Sequence, residues 1–189
     1  MERKQEIRKE FLKKRSAMSR EERKENSDTI SELGMLYFEE YDKVDELKIY
    51  GYYPTKSEVS LIELYQWMLD RGVELAFPRV DGESMDFYQI ESIKDFTKGA
   101  FGIYEPVPEC SKVEWENAIC LVPGAVFDRK GHRYGYGAGY YDRYFHRFPD
   151  LYKIGVCFAE QIAGSIPVEE TDISMDALMC EQGITETED

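Results

Sequence analysis

Residues able to handle an anion cluster in one stretch, positions 123–143, PGAVFDRKGHRYGYGAGYYDR. Three glycines alternate there, Gly135, Gly137 and Gly139, and Tyr140, Tyr141 and Asp142 follow at once. Alternating glycines let a backbone pass through positive φ and bring bare amides close to a ligand. The next residues, 143–148, read as a helix start, so free amides and the helix dipole face the same place. Arg129, Lys130, Arg133, Arg143 and Arg147 lie in or beside this stretch, with both histidines, His132 and His146. The chain as a whole has a formal net charge of −14. A basic island in so acidic a chain implies an anionic small molecule as ligand. The acidity elsewhere argues against nucleic acid and anionic membrane as partners. No G-x-x-x-x-G-K-[ST] occurs, and the glycine spacing is not that of a dinucleotide-binding loop. With no G-x-S-x-G and no cysteine in the loop, a protein nucleophile is not indicated.

The elements around the loop can be read from pattern. Residues 118–122 are a short apolar run that suits a buried strand, giving strand, glycine loop, helix. Residues 2–17 form an amphipathic helix with Ile7, Phe11 and Leu12 on one face. Lys4 and Arg8 are one turn apart on it, which by spacing alone describes a solvated basic face. Ser19 and Glu22 make a capping box that opens a helix to about Tyr41, striped by Ile30, Leu33, Tyr37 and Tyr41. Residues 47–53 are the first strand, and 54–58 the loop at its carboxyl end, where open α/β sheets gather ligands. Ser60 opens another helix that stops at Gly72. Residues 73–80 and 85–90 are strands joined across Gly82. Residues 91–115 read as irregular, 153–158 and 177–180 as strands, and the end as frayed. Strands separated by helices predict an α/β fold, a mostly parallel sheet with helices on both faces.

At 189 residues the chain fits one domain. Met1 is followed by charged residues, and no apolar run is long enough to cross a bilayer. Cys110, Cys120, Cys157 and Cys180 form no C-x-x-C pair, so free thiols and a reducing, cytoplasmic location are expected. A monomer is expected.

The stretch at 123–143 resembles the signature of 5-formyltetrahydrofolate cyclo-ligases, also called methenyltetrahydrofolate synthetases. The family pattern is roughly P-G-x-A-F-D-x-x-G-x-R-hydrophobic-G-x-G-x-G-Y-Y-D-R. Here Val126 replaces the usual alanine, Tyr134 takes the hydrophobic place, and Ala138 stands where relatives carry glycine or lysine. The resemblance implies a three-layer fold similar to sugar-phosphate isomerases and CoA transferases. It implies ATP and 5-formyltetrahydrofolate as small-molecule substrates, with Mg²⁺. It also implies roles: Lys4 and Arg8 match an amino-terminal Lys-x-x-x-Arg that contacts ATP phosphates. Arg133, Tyr134, Gly135, Tyr136, Gly137, Ala138, Gly139, Tyr140 and Tyr141 would line the ATP site. Glu58, with Tyr53 as pocket wall, would bind folate together with residues 136–140. Arg133 and Tyr140 would act in catalysis, and Asp142 with Asp176 would hold the metal. Residues 101–106 resemble a segment beside the active site, with no role assigned.

The chemistry so implied starts from a formamide, a poor electrophile whose oxygen is a poor leaving group. ATP phosphorylates that oxygen, the neighbouring side-arm nitrogen attacks the carbon, and phosphate leaves. Such a reaction needs positioning and charge neutralisation more than a nucleophile. Two alternatives share the strand–loop–helix layout. A sugar-phosphate isomerase or CoA transferase would use Glu58 as base or nucleophile. A non-catalytic module would bind nucleotide without turnover.

Overall fold

The computed structural model describes residues 2–55, 57–99 and 102–188. Helix α1 spans Glu2–Ala17 and α2 spans Arg20–Glu39, opened by the predicted capping box between Ser19 and Glu22. Strand β1 is only Lys48–Tyr50, shorter than expected, although the Gly51 amide still donates to the Ala76 carbonyl at 2.8 Å. Helix α3, Ile62–Leu69, begins without the expected serine cap: the Ser60 amide instead donates to Ser27 Oγ on α2 at 3.1 Å. Strands β2, Glu74–Asp81, and β3, Ser84–Ile90, form the expected hairpin.

The stretch read as irregular holds three short strands, β4 (Phe96–Lys98), β5 (Tyr104–Pro106) and β6 (Lys112–Val113). Residues this short and this rich in glycine and proline carry no legible period. Arg79 ties β2 to this region by donating to the carbonyls of Pro106 and Val107 at 2.7 and 2.6 Å. Strand β7 is Ile119–Pro123. The glycine-rich stretch begins not as a loop but as a small antiparallel pair, β8 (Val126–Asp128) and β9 (Arg133–Tyr134). Helix α4, Tyr140–Arg147, and β10, Tyr152–Val156, follow. Strand β11, Ile162–Ala163, joins β8, and β12 is Ala177–Cys180. The tail does not fray: β13, Gly183–Glu186, pairs antiparallel with β12.

The main sheet runs β13-β12-β10-β7-β1-β2-β3-β6. Its centre, from β12 to β2, is parallel, and antiparallel strands finish both sides. Side chains alternate across it, as strand geometry requires. Ile49, Leu121, Ile154 and Met179 face α2 and α3, packing on Ile30, Phe38, Leu64 and Met68. Tyr50, Cys120, Val122 and Leu178 face the other side with Tyr144 and Phe145 of α4. Both faces are therefore covered, which is why the central strands read as unbroken apolar runs. A third, small cluster of Phe11, Val126, Tyr134 and Ile166 docks α1 onto β8 and β9. The four cysteines are free thiols, Cys120, Cys157 and Cys180 buried and Cys110 half-buried. Among the described residues no helix is long and apolar enough to cross a membrane.

Candidate active site

Strand β1 leads to β2 on one side, and β7 leads to β10 on the other. Their connections diverge where β1 and β7 lie side by side, and a crevice opens at such a point outside the carboxyl ends of the strands. The crevice is a cleft of about 1040 Å³, lined by Tyr52 and Tyr53 after β1 and by Pro123 at the end of β7. Pro78 and Val80 of β2 form a wall, since β2 outruns β1, whose last partner in it is Ala76. Proline is tolerated there because β1 no longer asks for its amide.

Across the mouth lies the glycine loop. Gly137 and Gly139 have φ of 101° and 69°, as expected for two of the three alternating glycines. Gly139 caps α4 with no side-chain bond, so the first-turn amides depend on solvent or a ligand. Tyr140 Oη donates to the Gly82 carbonyl at 2.9 Å, which fixes its ring against the β2–β3 turn. Arg143 bridges the Ala138 and Glu83 carbonyls at 2.8 and 2.9 Å, so the loop and that turn move as one.

Arg133 comes from β9 and is nearly buried, at 6% exposure. Its Nη1 donates to the Pro123 carbonyl at 3.1 Å, and its Nη2 lies 3.4 Å from Asp142 Oδ2. Its guanidinium stands 5.3 Å from the centre of the Tyr141 ring. Its Nε–H has no hydrogen-bond partner among the described residues. Buried side-chain donors nearly always have one, so an unmatched donor in a cleft wall is a feature of functional sites. Burial drives the Tyr141 hydroxyl well above the usual phenol range, so that ring stays neutral.

Helix α1 brings cations over the loop from the other chain end. Arg8 Nε donates to the Gly135 carbonyl at 2.7 Å. Lys4 Nζ is 2.6 Å from Asp172 and 3.1 Å from Glu169. Burial works against its charge, but the two carboxylates outweigh that effect and raise its pKa above the ordinary lysine value. Both cations stand beside the Tyr134 ring, at 5.3 and 6.0 Å. Tyr134 itself is buried at 3% exposure and donates its hydroxyl to the Pro167 carbonyl, so its part is to seat Lys4 and Arg8. The predicted Lys4–Arg8 face is thus half-buried against the cleft and not a solvated surface.

On the far side, Glu58 Oε2 accepts from the Thr55 amide and hydroxyl, both at 2.7 Å. Its Oε1 accepts from the Tyr136 hydroxyl. Tyr53 packs against Phe96 and Tyr104 with ring centres 4.8 and 4.9 Å away and planes tilted by 56° and 32°, a cluster of three aromatic rings. Of the segment 101–106, Phe101 lies outside the described residues, while Ile103, Tyr104 and Glu105 line the cleft. So one cleft is lined by cations, an amide-rich loop, a carboxylate and aromatic rings, and the Glu58–Tyr136 bond joins the carboxylate to the loop.

The structure does not bring Asp142 and Asp176 together. Asp142 lines the cleft. Asp176 precedes β12, at the amino end of the parallel strands, where its Oδ2 accepts from the Lys153 amide at 2.7 Å and pairs with Lys153 Nζ at 3.0 Å. An aspartate just before a strand starts at the edge opposite a carboxyl-end site, which spacing in sequence conceals. Among the described residues no three His, Cys, Asp or Glu are grouped as a metal would need from protein alone.

Three buried residues that hold the site escape a reading by motif. Asp128 fastens the β8–β9 turn through four bonds, to the Lys130, His132 and Ile166 amides and to His132 Nδ1. Gln161 Nε2 donates to the Gly124 and Ala125 carbonyls at the corner after β7. Arg15 reaches the same corner from α1. Its spacing gives the signal: Lys4, Arg8, Phe11 and Arg15 follow the i, i+4, i+7, i+11 stripe of one helix face.

Comparison with known proteins agrees with this geometry. A profile of the 5-formyltetrahydrofolate cyclo-ligase family matches residues 1–181. A 5-formyltetrahydrofolate cyclo-ligase of Saccharomyces cerevisiae is 32% identical over 153 residues, covering 68% of this chain and 72% of its own. The solved 5,10-methenyltetrahydrofolate synthetase of Aquifex aeolicus superposes with a TM-score of 0.82 at 34% identity, over 98% of this chain and 93% of its own. That of Mycoplasma pneumoniae, at 22% identity, shares the fold with a TM-score of 0.74 over 94% of this chain and 98% of its own. The loop, the helix of cations and the match along nearly the whole chain lead to one conclusion: this protein belongs to the 5-formyltetrahydrofolate cyclo-ligase family of ligases.

Proposed function

We propose that the protein cyclises 5-formyltetrahydrofolate to 5,10-methenyltetrahydrofolate, with conversion of ATP to ADP and phosphate. The observation that carries this reading is the single cleft lined both by Lys4, Arg8 and Arg133 and by Glu58 with Tyr53. The γ-phosphoryl group passes to the formyl oxygen, which makes that oxygen a leaving group. The side-arm nitrogen then attacks the formyl carbon, and phosphate departs with the oxygen. Arg8, Arg133 and the amides of Gly135 to Tyr141 neutralise the transferring group, where preorganised donors have most effect. Tyr140 and Tyr136 flank the pteridine, and Glu58 accepts its N–H groups. Mg²⁺ bound with the nucleotide would neutralise phosphate charge. Asp142 suits it, because Mg²⁺ takes only one or two protein carboxylates and fills its shell with phosphate oxygen and water. On this reading the protein works as a monomer in the cytoplasm.

The test is absorbance. Purified protein with 5-formyltetrahydrofolate, ATP and Mg²⁺ should develop the near-ultraviolet band of the methenyl product, and should not do so without ATP. A well-folded preparation that gives no ATP-dependent band would sink the proposal. Turnover without ATP would favour an isomerase or transferase.

The two helix cations should differ in weight. Arg8→Ala is expected to weaken ATP binding by about 1.5–3 kcal/mol, the range for a charge-assisted bond. Lys4→Ala should cost less, because ATP must displace Asp172 and Glu169 from Lys4 before using it. Titration with a non-hydrolysable ATP analogue and, separately, with folate measures both. A larger loss for Lys4→Ala, or equal losses for nucleotide and folate, would contradict the assignment.

A further inference from the structure

Arg15 is the most buried cation among the described residues, at 4% exposure, and no part of the reaction described above uses it. Its Nε donates to Ser57 Oγ at 3.1 Å, and its Nη1 donates to the Gly124 carbonyl at 3.1 Å and to Tyr136 Oη at 2.9 Å. It therefore joins α1 to three pieces of the cleft: the loop after β1, the corner after β7 and the glycine loop. A hydroxyl has one proton. Since Tyr136 Oη accepts from Arg15, its own proton is directed to Glu58 Oε1. Burial, with the Glu58 carboxylate next, pushes the Tyr136 phenol well above its ordinary range, so the proton stays on the tyrosine. The other oxygen of Glu58 is already fixed by Thr55. Arg15 and Thr55 thus hold the carboxylate from both sides, one through a ring that is half exposed in the cleft.

We propose that Arg15 is a positioning residue for the folate end of the cleft, acting through the Tyr136 hydroxyl to set the Glu58 carboxylate. This rests on the reading of Glu58 as the pteridine acceptor. A bystander arginine that only filled the core would need no chain of this kind. The guanidinium suits the task because its planar fork serves three acceptors at once, which a lysine ammonium on a flexible stem does not reproduce. The arrangement also places Arg15 on the same helix stripe as Lys4 and Arg8, so one rigid element indexes the phosphate end and the folate end together.

The experiment compares KM for folate and for ATP, kcat and the melting temperature in Glu58→Gln, Tyr136→Phe, Arg15→Lys and the double variant Tyr136→Phe/Arg15→Lys. Glu58→Gln should raise the folate KM and spare the ATP KM. If it does not, the reading of Glu58 fails, whatever Arg15 does. Given that effect, Tyr136→Phe and Arg15→Lys should each raise the folate KM about five- to tenfold, the scale of one lost hydrogen bond. The ATP KM should stay within about twofold. Because the two act in series, the double variant should be little worse than either single one. Tyr136→Phe removes one half-exposed hydroxyl and keeps the fold, so it tests the link even if Arg15→Lys melts early. An unchanged folate KM in Tyr136→Phe, fully multiplying effects in the double variant, or equal rises of both KM values in Arg15→Lys would each overturn the proposal.

Discussion

Arg133→Lys is expected to lower kcat/KM by about 10²–10³-fold, the cost of losing one preorganised donor from a charge-stabilising site. Lysine keeps the charge but not the shape. One ammonium cannot hold the Pro123 carbonyl, face Asp142 and lie beside the Tyr141 ring, as the guanidinium does. The unmatched Nε–H disappears as well. Folate binding should change little, because the proposed folate contacts are Glu58 and Tyr53 and not Arg133. Steady-state rates with each substrate varied, together with a folate titration in the absence of nucleotide, decide the matter. A variant within twofold of the parent in kcat/KM, or one that loses folate instead, would remove Arg133 from the catalytic group.

The second large effect falls on stability. Asp128 is 1% exposed and accepts four bonds, at 2.9 to 3.1 Å, from three backbone amides and a histidine ring. Asp128→Ala leaves those donors buried without acceptors and is expected to cost roughly 3–5 kcal/mol, as for breaking a buried charged network. For a chain of this size each kcal/mol moves the melting temperature by about 2–4 °C, so a fall near 10 °C should appear. Asp128→Asn should recover only part of it. Its amide can replace one oxygen as acceptor but turns a donor towards another donor. Thermal melts of the three proteins test this. A fall of less than about 3 °C for Asp128→Ala would show that water or a shifted turn satisfies the amides instead.

Asp128 also shows how a signature can mislead. In the sequence it sits inside the motif beside Arg133 and Asp142, yet only the latter two reach the cleft. The motif spans a β8–β9 pair as well as the loop, because Val126–Tyr134 pairing needs partners that short runs do not announce. Helices α1 and α2, the capping box and the central strands were legible, since long periods and local caps belong to the chain itself. The short strands at 96–113 and β13 were not, because runs of two to four residues carry no period of their own; β4–β5 and β12–β13 are local hairpins, and β6 pairs with β3 from earlier in the chain. Lys4, Arg8 and Glu58 could be matched to the cleft by resemblance. Arg15 could not, since the acceptors that make a buried arginine tolerable lie 42 to 121 residues away. Asp176 stands before β12 with Lys153, a placement that depends on strand direction and so is hidden in the sequence.

The docking of α1 has a consequence for how the chain reaches this state. Lys4 meets a partner 168 residues away, Arg8 one 127 away and Arg15 one 109 away. No strand of α1's own neighbourhood receives it; its seat is the small cluster built by β8, β9 and Ile166. During synthesis this helix emerges before the segments that seat it, as an isolated segment too short to be firmly helical in water. The entropy of closing so long a loop rises only slowly with length, and it is recovered in steps, Arg15 and Arg8 meeting Gly124 and Gly135 and Lys4 meeting Asp172 later in the chain. A ribosome-bound chain lacking those segments would carry Lys4 and Arg8 with no pocket to aim them into. On the proposed function, nucleotide capture would then wait for α1 to dock.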